Sequence, residues 1–350
     1  MYFPYLRGKQ FELLALREFA NQNANNNTII PIIEPVKDTF NSLRTAIEVM
    51  FKQGLRFALV LNPNDGDFKK SLKTYNILQE IPCLLEEDNR NKWIPAFLYN
   101  DEQRIITTVN DNSLTNIMII FKNSIDSSKE SIFTFLGDPE VQYIVNGDAN
   151  NRSVVRKLSH LRDKSLIRLD NCFNEQPRNV DYIEIDEESF SEEHLYYESD
   201  GYAGFSDYTT LPKDFIDGGM LPYAIAIHLT YKREEGEVYI KHFVSDTNFD
   251  QSNVQKKFFE AASKVKAFFE NRDRTAAIDD LIKLVNDNKY PGLGVIKKLF
   301  VSPTLPFRPR QDTPSQLSRS TRQSEPSTRR IYHLRRSCGL RHRSIGGQRC

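Results

Sequence analysis

Polar residues end a series of short apolar runs along the first 250 residues of this sequence. Where such runs form parallel strands, their carboxyl ends meet at one rim, and ligands bind there. Carboxylates at a rim can act as acid and base or hold a divalent cation, and a lysine can neutralise an anion. The residues that end the runs are Glu34, Asn62, Asn64, Asn100, Lys122, Asn146, Asp148, Asp170, Asp207 and Asp246.

Glu34 is the strongest single candidate in this set. It lies within the segment Ile-Ile-Glu-Pro, where apolar neighbours would bury a carboxylate that is costly to remove from water. Asp207, beside Tyr208, comes second. For any one of the others a solvated turn is the preferred explanation, because Asn and Asp favour turns, as in the segment 62–66.

Two histidines form a second candidate group. The segments 224–231 and 238–245 predict a hairpin, and a three-residue loop ending at Gly236 would place His228 directly opposite His242. A metal held by both imidazoles and a carboxylate such as Asp207 or Glu34 is one interpretation. Two strand histidines satisfied by their neighbours are the preferred one, because a cross-strand pair alone does not demand a metal.

Segments with helical spacing alternate with the apolar runs, and this alternation predicts βα units. The pattern fits an α/β barrel or a doubly wound sheet, and we predict a TIM-barrel-like (β/α)8 fold with a late β-hairpin. A first helix, 10–22, would precede the first strand, and helices 252–271 and 275–288 would cover the outer wall of the barrel. The predicted strands are 29–34, 57–62, 94–100, 117–122, 141–146, 166–170, 204–210 and 224–231.

The charge of the chain divides it into two parts. The 350 residues carry a formal net charge of zero, but residues 301–350 contain eleven Arg, no Lys and two acids, so the remainder carries −9. The first part, 1–300, has the composition of a globular α/β domain, and the tail lacks apolar periodicity and is predicted to be disordered. So abrupt a change indicates frame-shifted or read-through sequence; an Arg-rich arm that binds nucleic acid or an acidic partner is the alternative.

Several motifs together resemble the bacterial and phage beta protein family, over about residues 1–298. The similarity rests on Tyr5, Lys9 and Glu12, followed by Ala-Leu, and on the segments 30–34, 204–208, 226–231 and 242–246. The resemblance implies a barrel-like fold and a bacterial or phage cytosolic setting. It implies no agreed reaction, and it draws attention to Lys9 and Glu12.

These observations predict a site on the barrel rim for a small anionic or phosphorylated substrate, with a divalent metal as a candidate cofactor. The catalytic residues would be Glu34, Asp207, His228 and Asp246. The substrate-binding residues would be Lys9, Asn62, Lys122, Asp170 and Tyr208, and His228 with His242 would hold the metal. The chain would then be a hydrolase-like enzyme.

The alternative function is that of a non-catalytic interaction protein, such as an accessory factor of a phage-defence or mobile-element system. Its acidic body would dock a basic protein partner, and nucleic acid would bind only through the tail. Four cysteines without a C-x-x-C pair, no secretory signal and no long apolar run predict a cytoplasmic protein without membrane contact. No P-loop, dinucleotide fingerprint or G-x-S-x-G motif is present.

Overall fold

The computed structural model describes residues 1–70, 76–216, 221–292 and 294–295, and the predicted disordered tail, 301–350, lies outside them. The strands are β1 (Tyr5–Leu6), β2 (Ile32–Ile33), β3 (Phe57–Val60), β4 (Trp93–Leu98), β5 (Ile117–Phe121), β6 (Val141–Asn146), β7 (Ser165–Asp170), β8 (Glu187–Ser191), β9 (Gly204–Asp207), β10 (Ala226–Lys232) and β11 (Val238–Val244). The α-helices are α1 (Gln10–Gln22), α2 (Asn41–Lys52), α3 (Asp67–Lys70), α4 (Ile77–Glu80), α5 (Glu102–Asn112), α6 (Glu130–Leu136), α7 (Arg152–Leu158), α8 (Tyr182–Ile185), α9 (Glu193–Tyr196), α10 (Val254–Phe268) and α11 (Ala276–Asn286).

Eight parallel strands form a nearly closed barrel in the order β1-β2-β3-β4-β5-β6-β7-β9. The ends of this sheet meet at Tyr2, which bridges Ile29 on one side and Phe205 on the other. The Phe3 amide donates to the Phe205 carbonyl at 2.8 Å, and the Phe205 amide donates to the Met1 carbonyl at 3.0 Å. The fold is therefore a mixed α/β structure with a TIM-barrel-like sheet, as the alternation predicts.

The identity of one barrel strand differs from the prediction. The segment leading into β1 lies between β2 and β9, so a strand precedes the first helix, and β10 is not a barrel strand. Sequence pattern misses β1 because its ladder has only two residues and it directly follows Pro4, which lacks a backbone donor. Because β1 fills the eighth position, the predicted eighth strand pairs elsewhere.

Two apolar layers bury both faces of the barrel strands. One fills the interior and includes Ile32, Val60, Met118, Val145 and Leu169. The other lies between the strands and the surrounding helices, where Ile33, Ile119 and Ile144 pack. Burial on both faces explains why the strands read as continuous apolar runs rather than alternating ones.

A small antiparallel sheet in the order β10-β11-β8 packs beside the barrel. Its hairpin has the predicted register: Ala226 pairs with Val244, and His228 pairs with His242. Helices α10 and α11 cover the face of this sheet that carries Ile227 and Phe243, and not the outer barrel wall as predicted. The reason is that this face of the small sheet is apolar and buries the apolar faces of the two helices.

Candidate functional site

Four charged side chains meet at the carboxyl-terminal mouth of the barrel. Arg7 follows β1, Glu34 follows β2, Asp65 lies in the loop after β3, and Lys122 follows β5. Arg7 Nη1 lies 3.0 Å from Glu34 Oε2 and 3.1 Å from Asp65 Oδ2. Lys122 Nζ lies 3.1 Å and 2.9 Å from the same two oxygens. We call these four residues the mouth cluster.

Glu34 is the centre of the mouth cluster and is fully buried. Its Oε2 accepts hydrogen bonds from the Tyr5 hydroxyl at 2.7 Å, from Arg7 and from Lys122. A buried carboxylate is tolerated when cations and hydrogen-bond donors replace its lost hydration. Glu34 therefore fixes the positions of both cations.

A tight turn after β1 directs Arg7 into the barrel mouth. Gly8 has a φ of +60°, and an added Cβ would lie 3.4 Å from the Glu34 carbonyl oxygen. The buried carboxylate of Glu12 accepts from the backbone amides of Arg7 at 2.6 Å and Lys9 at 3.3 Å. Burial raises the pKa of Glu12. These hydrogen bonds fix the backbone of residues 7–12 and so hold the Arg7 guanidinium in position.

Lys9 itself points to a different neighbour. Its ammonium lies 4.4 Å from the centre of the Phe215 ring, in the range of a cation–π contact. The structure therefore places Lys9 against the loop after β9, at Phe215.

The loop that carries Asp65 has a fixed backbone. The Asn62 amide bonds the Leu98 backbone in both directions, at 2.8 Å each. Gly66 has a φ of +62°, and a Cβ there would overlap the Val36 carbonyl. Asp65 itself is tethered, among the described hydrogen bonds, only through Oδ2 to Arg7 and Lys122. Its carboxylate can therefore rotate without moving the loop.

Tyr208 adds a buried hydroxyl to the barrel mouth. The ring lies 5.1 Å from the Tyr5 ring, and the Arg7 guanidinium lies 5.2 Å from its centre. Its hydroxyl is buried and has no hydrogen-bond partner among the described residues. Burial raises the pKa of Tyr208, and the charges that act on it include Arg7, Glu34 and Asp65. A buried donor without a partner is unusual and indicates a place where a ligand atom can accept a hydrogen bond.

The residue after Tyr208 has a strained backbone. Thr209 has a φ of +57°, which is a rare conformation for a β-branched residue. Its amide donates to Asp207 Oδ1 at 2.7 Å, which holds the turn at the end of β9. Strain of this kind costs about 1–3 kcal/mol and is concentrated at functional sites.

Asp207 faces the small sheet and not the barrel mouth. Along β9 the side chains alternate, so Tyr208 enters the barrel interior and Asp207 lies on the outer wall, beside Phe190 and Ser191. The Tyr2 hydroxyl donates to it at 2.9 Å. Burial raises the pKa of Asp207 to about 6. Asp170 shares this outer wall and pairs with Arg168 at 2.6 Å.

His228, His242 and Asp246 belong to the small sheet. The two Nδ1 atoms lie 2.7 Å apart, so one imidazole donates to the other, and His242 Nε2 lies 3.2 Å from Glu188 Oε1. Asp246 is exposed and pairs with Lys264 at 2.6 Å. The four predicted catalytic residues therefore occupy three places: Glu34 in the barrel mouth, Asp207 on the outer wall, and His228 and Asp246 on the small sheet.

No group of three or more His, Cys, Asp and Glu side chains is arranged to hold a metal ion within the described ranges. The geometry of the two imidazoles is accounted for by their mutual hydrogen bond, by Glu188 and by the Tyr182 ring, whose centre lies 4.5 Å from that of His228.

Sequence reasoning missed three members of the barrel-mouth site. The pattern misses Arg7 because β1 is too short to be recognised as a strand, and it points to Tyr5 only through the family resemblance, although Tyr5 binds Glu34 from that strand. Asp65 was read as part of the turn 62–66. The signal that could have found it is its position between an apolar strand and Gly66, because loops after barrel strands carry site residues.

Comparisons with known proteins add no family to this picture: no protein-family model matches the chain, and no curated protein matches it. In the part of the chain that the structure describes, none of the helices has the length and apolar content needed to cross a membrane.

Proposed function

We propose that the barrel mouth binds the oxyanion of a small anionic or phosphorylated molecule between Arg7 and Lys122. The observation that carries this proposal is the convergence of the two cations on the same carboxylate oxygens, beside the buried Tyr208 hydroxyl. Within the described hydrogen bonds, the Lys122 ammonium uses two of its three N–H groups. The third N–H and the tyrosine hydroxyl are donors for a ligand oxygen.

The chemistry proposed for this site is hydrolysis. Asp65 is the partly exposed carboxylate of the mouth cluster and is the candidate general base, whereas Glu34 is enclosed by four donors, including the Asn64 amide, and acts by positioning the cations. Asp65 would take a proton from the attacking water and return it to the leaving group as the ester bond breaks. Arg7 and Lys122 would stabilise the charge that develops on the oxyanion.

Binding is tested by replacing Lys122 with methionine. We expect the affinity for inorganic phosphate to fall at least about tenfold, because one of two charged donors is lost, as measured by titration calorimetry on the full chain. Lys122→Arg should retain binding, and Lys129→Met removes an exposed lysine as a control for net charge. Equal phosphate affinity in the wild type and Lys122→Met would contradict the proposal.

Turnover is tested separately by incubating the full chain with phosphate monoesters and diesters and measuring released product. Turnover that Asp65→Asn abolishes supports the hydrolase proposal. Phosphate binding without turnover of any ester would contradict the hydrolytic step and favour the non-catalytic alternative.

Tyr208→Phe should separate binding from folding. Removing a buried hydroxyl that has no partner among the residues described is expected to leave the free energy of unfolding unchanged or raise it by about 1 kcal/mol, while phosphate affinity falls about tenfold. Tyr5→Phe is the contrast, because its hydroxyl bonds Glu34 and its loss should destabilise the fold. Urea unfolding and phosphate titration measure both effects; a Tyr208→Phe protein that is clearly less stable would contradict this assignment.

A further inference from the structure

The two carboxylates of the mouth cluster differ in how firmly they are held. Glu34 is fully buried and bonded to Tyr5 as well as to both cations, whereas the side chain of Asp65 is 19% exposed and, within the described part of the chain, bonded only to the cations. The Asp65 backbone is fixed by the neighbouring bonds of Asn62 and by Gly66. Only a side-chain rotation is needed to release Asp65.

The charges of the mouth cluster favour such a release. With all four side chains together, two positive and two negative charges cancel. If Asp65 turns away, Glu34 is the one carboxylate of the mouth cluster left on Arg7 and Lys122, and the mouth cluster gains one net positive charge. An oxyanion with one negative charge would restore the balance, and the Tyr208 hydroxyl would supply an additional donor.

We infer that Asp65 occupies the ligand's place between Arg7 and Lys122, and that a singly charged oxyanion displaces it on binding. This inference rests on the proposed function and adds the charge class of the ligand and a built-in competitor for its site. Asp65 would keep the cations paired in the free protein, and its displacement would free the carboxylate for the proton transfer proposed above. The competition lowers the affinity of the site for any anion.

The test is the affinity of the full chain for inorganic phosphate after Asp65→Asn, at a pH low enough for the phosphate monoanion to predominate. Asparagine has nearly the same shape but no charge, so we expect binding at least about tenfold tighter than in the wild type. Asp67→Asn is the matched control: it removes one carboxylate two residues away that bonds Lys37 and the Asp38 amide and not the mouth cluster. It should leave affinity unchanged.

The outcomes distinguish this inference from the proposal on which it rests. Phosphate binding by the wild type with equal or weaker binding by Asp65→Asn would overturn the displacement while leaving the binding site in place. Equal tightening by Asp67→Asn and Asp65→Asn would also overturn it, because net charge alone would then explain the gain. Absence of binding in the wild type, in Asp65→Asn and in Lys122→Arg would overturn both.

Discussion

Replacing Glu34 with alanine is expected to lower the free energy of unfolding by about 3–5 kcal/mol, the cost typical of breaking a buried ion pair from one side. Glu34 is fully buried, and its removal leaves the Arg7 guanidinium and the Tyr5 hydroxyl without their common acceptor. Glu34→Gln should cost less, because an amide oxygen can still accept from Tyr5 and Arg7. Urea unfolding of the full chain measures both.

The control for this prediction is Glu87→Ala, at a glutamate whose side chain is 96% exposed. Its loss should change stability by no more than about 0.5 kcal/mol. A Glu34→Ala protein as stable as Glu87→Ala would contradict the role of Glu34 as the anchor of both cations. Loss of phosphate binding in Glu34→Gln without loss of stability would support the positioning role specifically.

Acid should destabilise the protein through the two imidazoles of the small sheet. Burial lowers the pKa of His228 to about 3 and lowers the pKa of His242 as well. The unfolded chain therefore binds more protons than the folded one between about pH 6.5 and pH 3, so stability falls as pH decreases through this window. For His228 the loss at pH 3 is of the order of 4 kcal/mol.

The hydrogen bond between His228 and His242 helps to explain why acid lowers the stability of the fold. The two imidazoles cannot both become imidazolium without setting two N–H groups against each other across the 2.7 Å gap between the Nδ1 atoms. Glu188 and Asp186 raise the pKa of His242 and Lys241 lowers it, so the flanking charges offset only part of the burial. Tyr182 and Phe173 exclude water from the other side of His228.

The measurement is urea unfolding from pH 7.5 to pH 4.5 in the wild type and in a His228→Leu, His242→Leu double variant. The double variant should lose the part of the slope that the pair causes, and His160→Gln, at an exposed histidine, should retain it. Identical slopes in the wild type and the double variant would contradict the assignment of this pH dependence to the two imidazoles.

Asp207 contributes with the opposite sign: burial raises its pKa to about 6, so its stabilisation is lost as pH rises from 4 to 6.

The barrel could be predicted from the sequence because its strands are buried on both faces. Runs such as Ile117–Phe121 are apolar throughout, and this pattern survives without any knowledge of neighbours. The hairpin register was predictable for a local reason: the turn ending at Gly236, where φ is +103°, fixes which residues face each other. The apolar runs and the hairpin turn can both be recognised from residues that are neighbours in the sequence.

The site was only partly predictable, because it depends on contacts between distant segments. Glu34 and Lys122 are predicted as strand ends and bond each other directly, but Arg7, the second cation on Glu34, follows a strand too short to be recognised. The sequence predicts both Asp207 and Tyr208 for the rim, whereas adjacent strand residues face opposite sides, and of the two it is Tyr208 that faces the interior. Packing decides which side of a strand faces the barrel interior, and a shift of one residue along the strand exchanges the two sides.

A crystal structure of the full chain with inorganic phosphate bound is the most direct test of the anion site between Arg7 and Lys122. We expect phosphate oxygens within hydrogen-bond distance of Lys122 Nζ, of the Arg7 guanidinium and of the Tyr208 hydroxyl, with the Asp65 carboxylate turned away from both cations. Phosphate bound elsewhere, with Asp65 still bridging Arg7 and Lys122, would contradict the account.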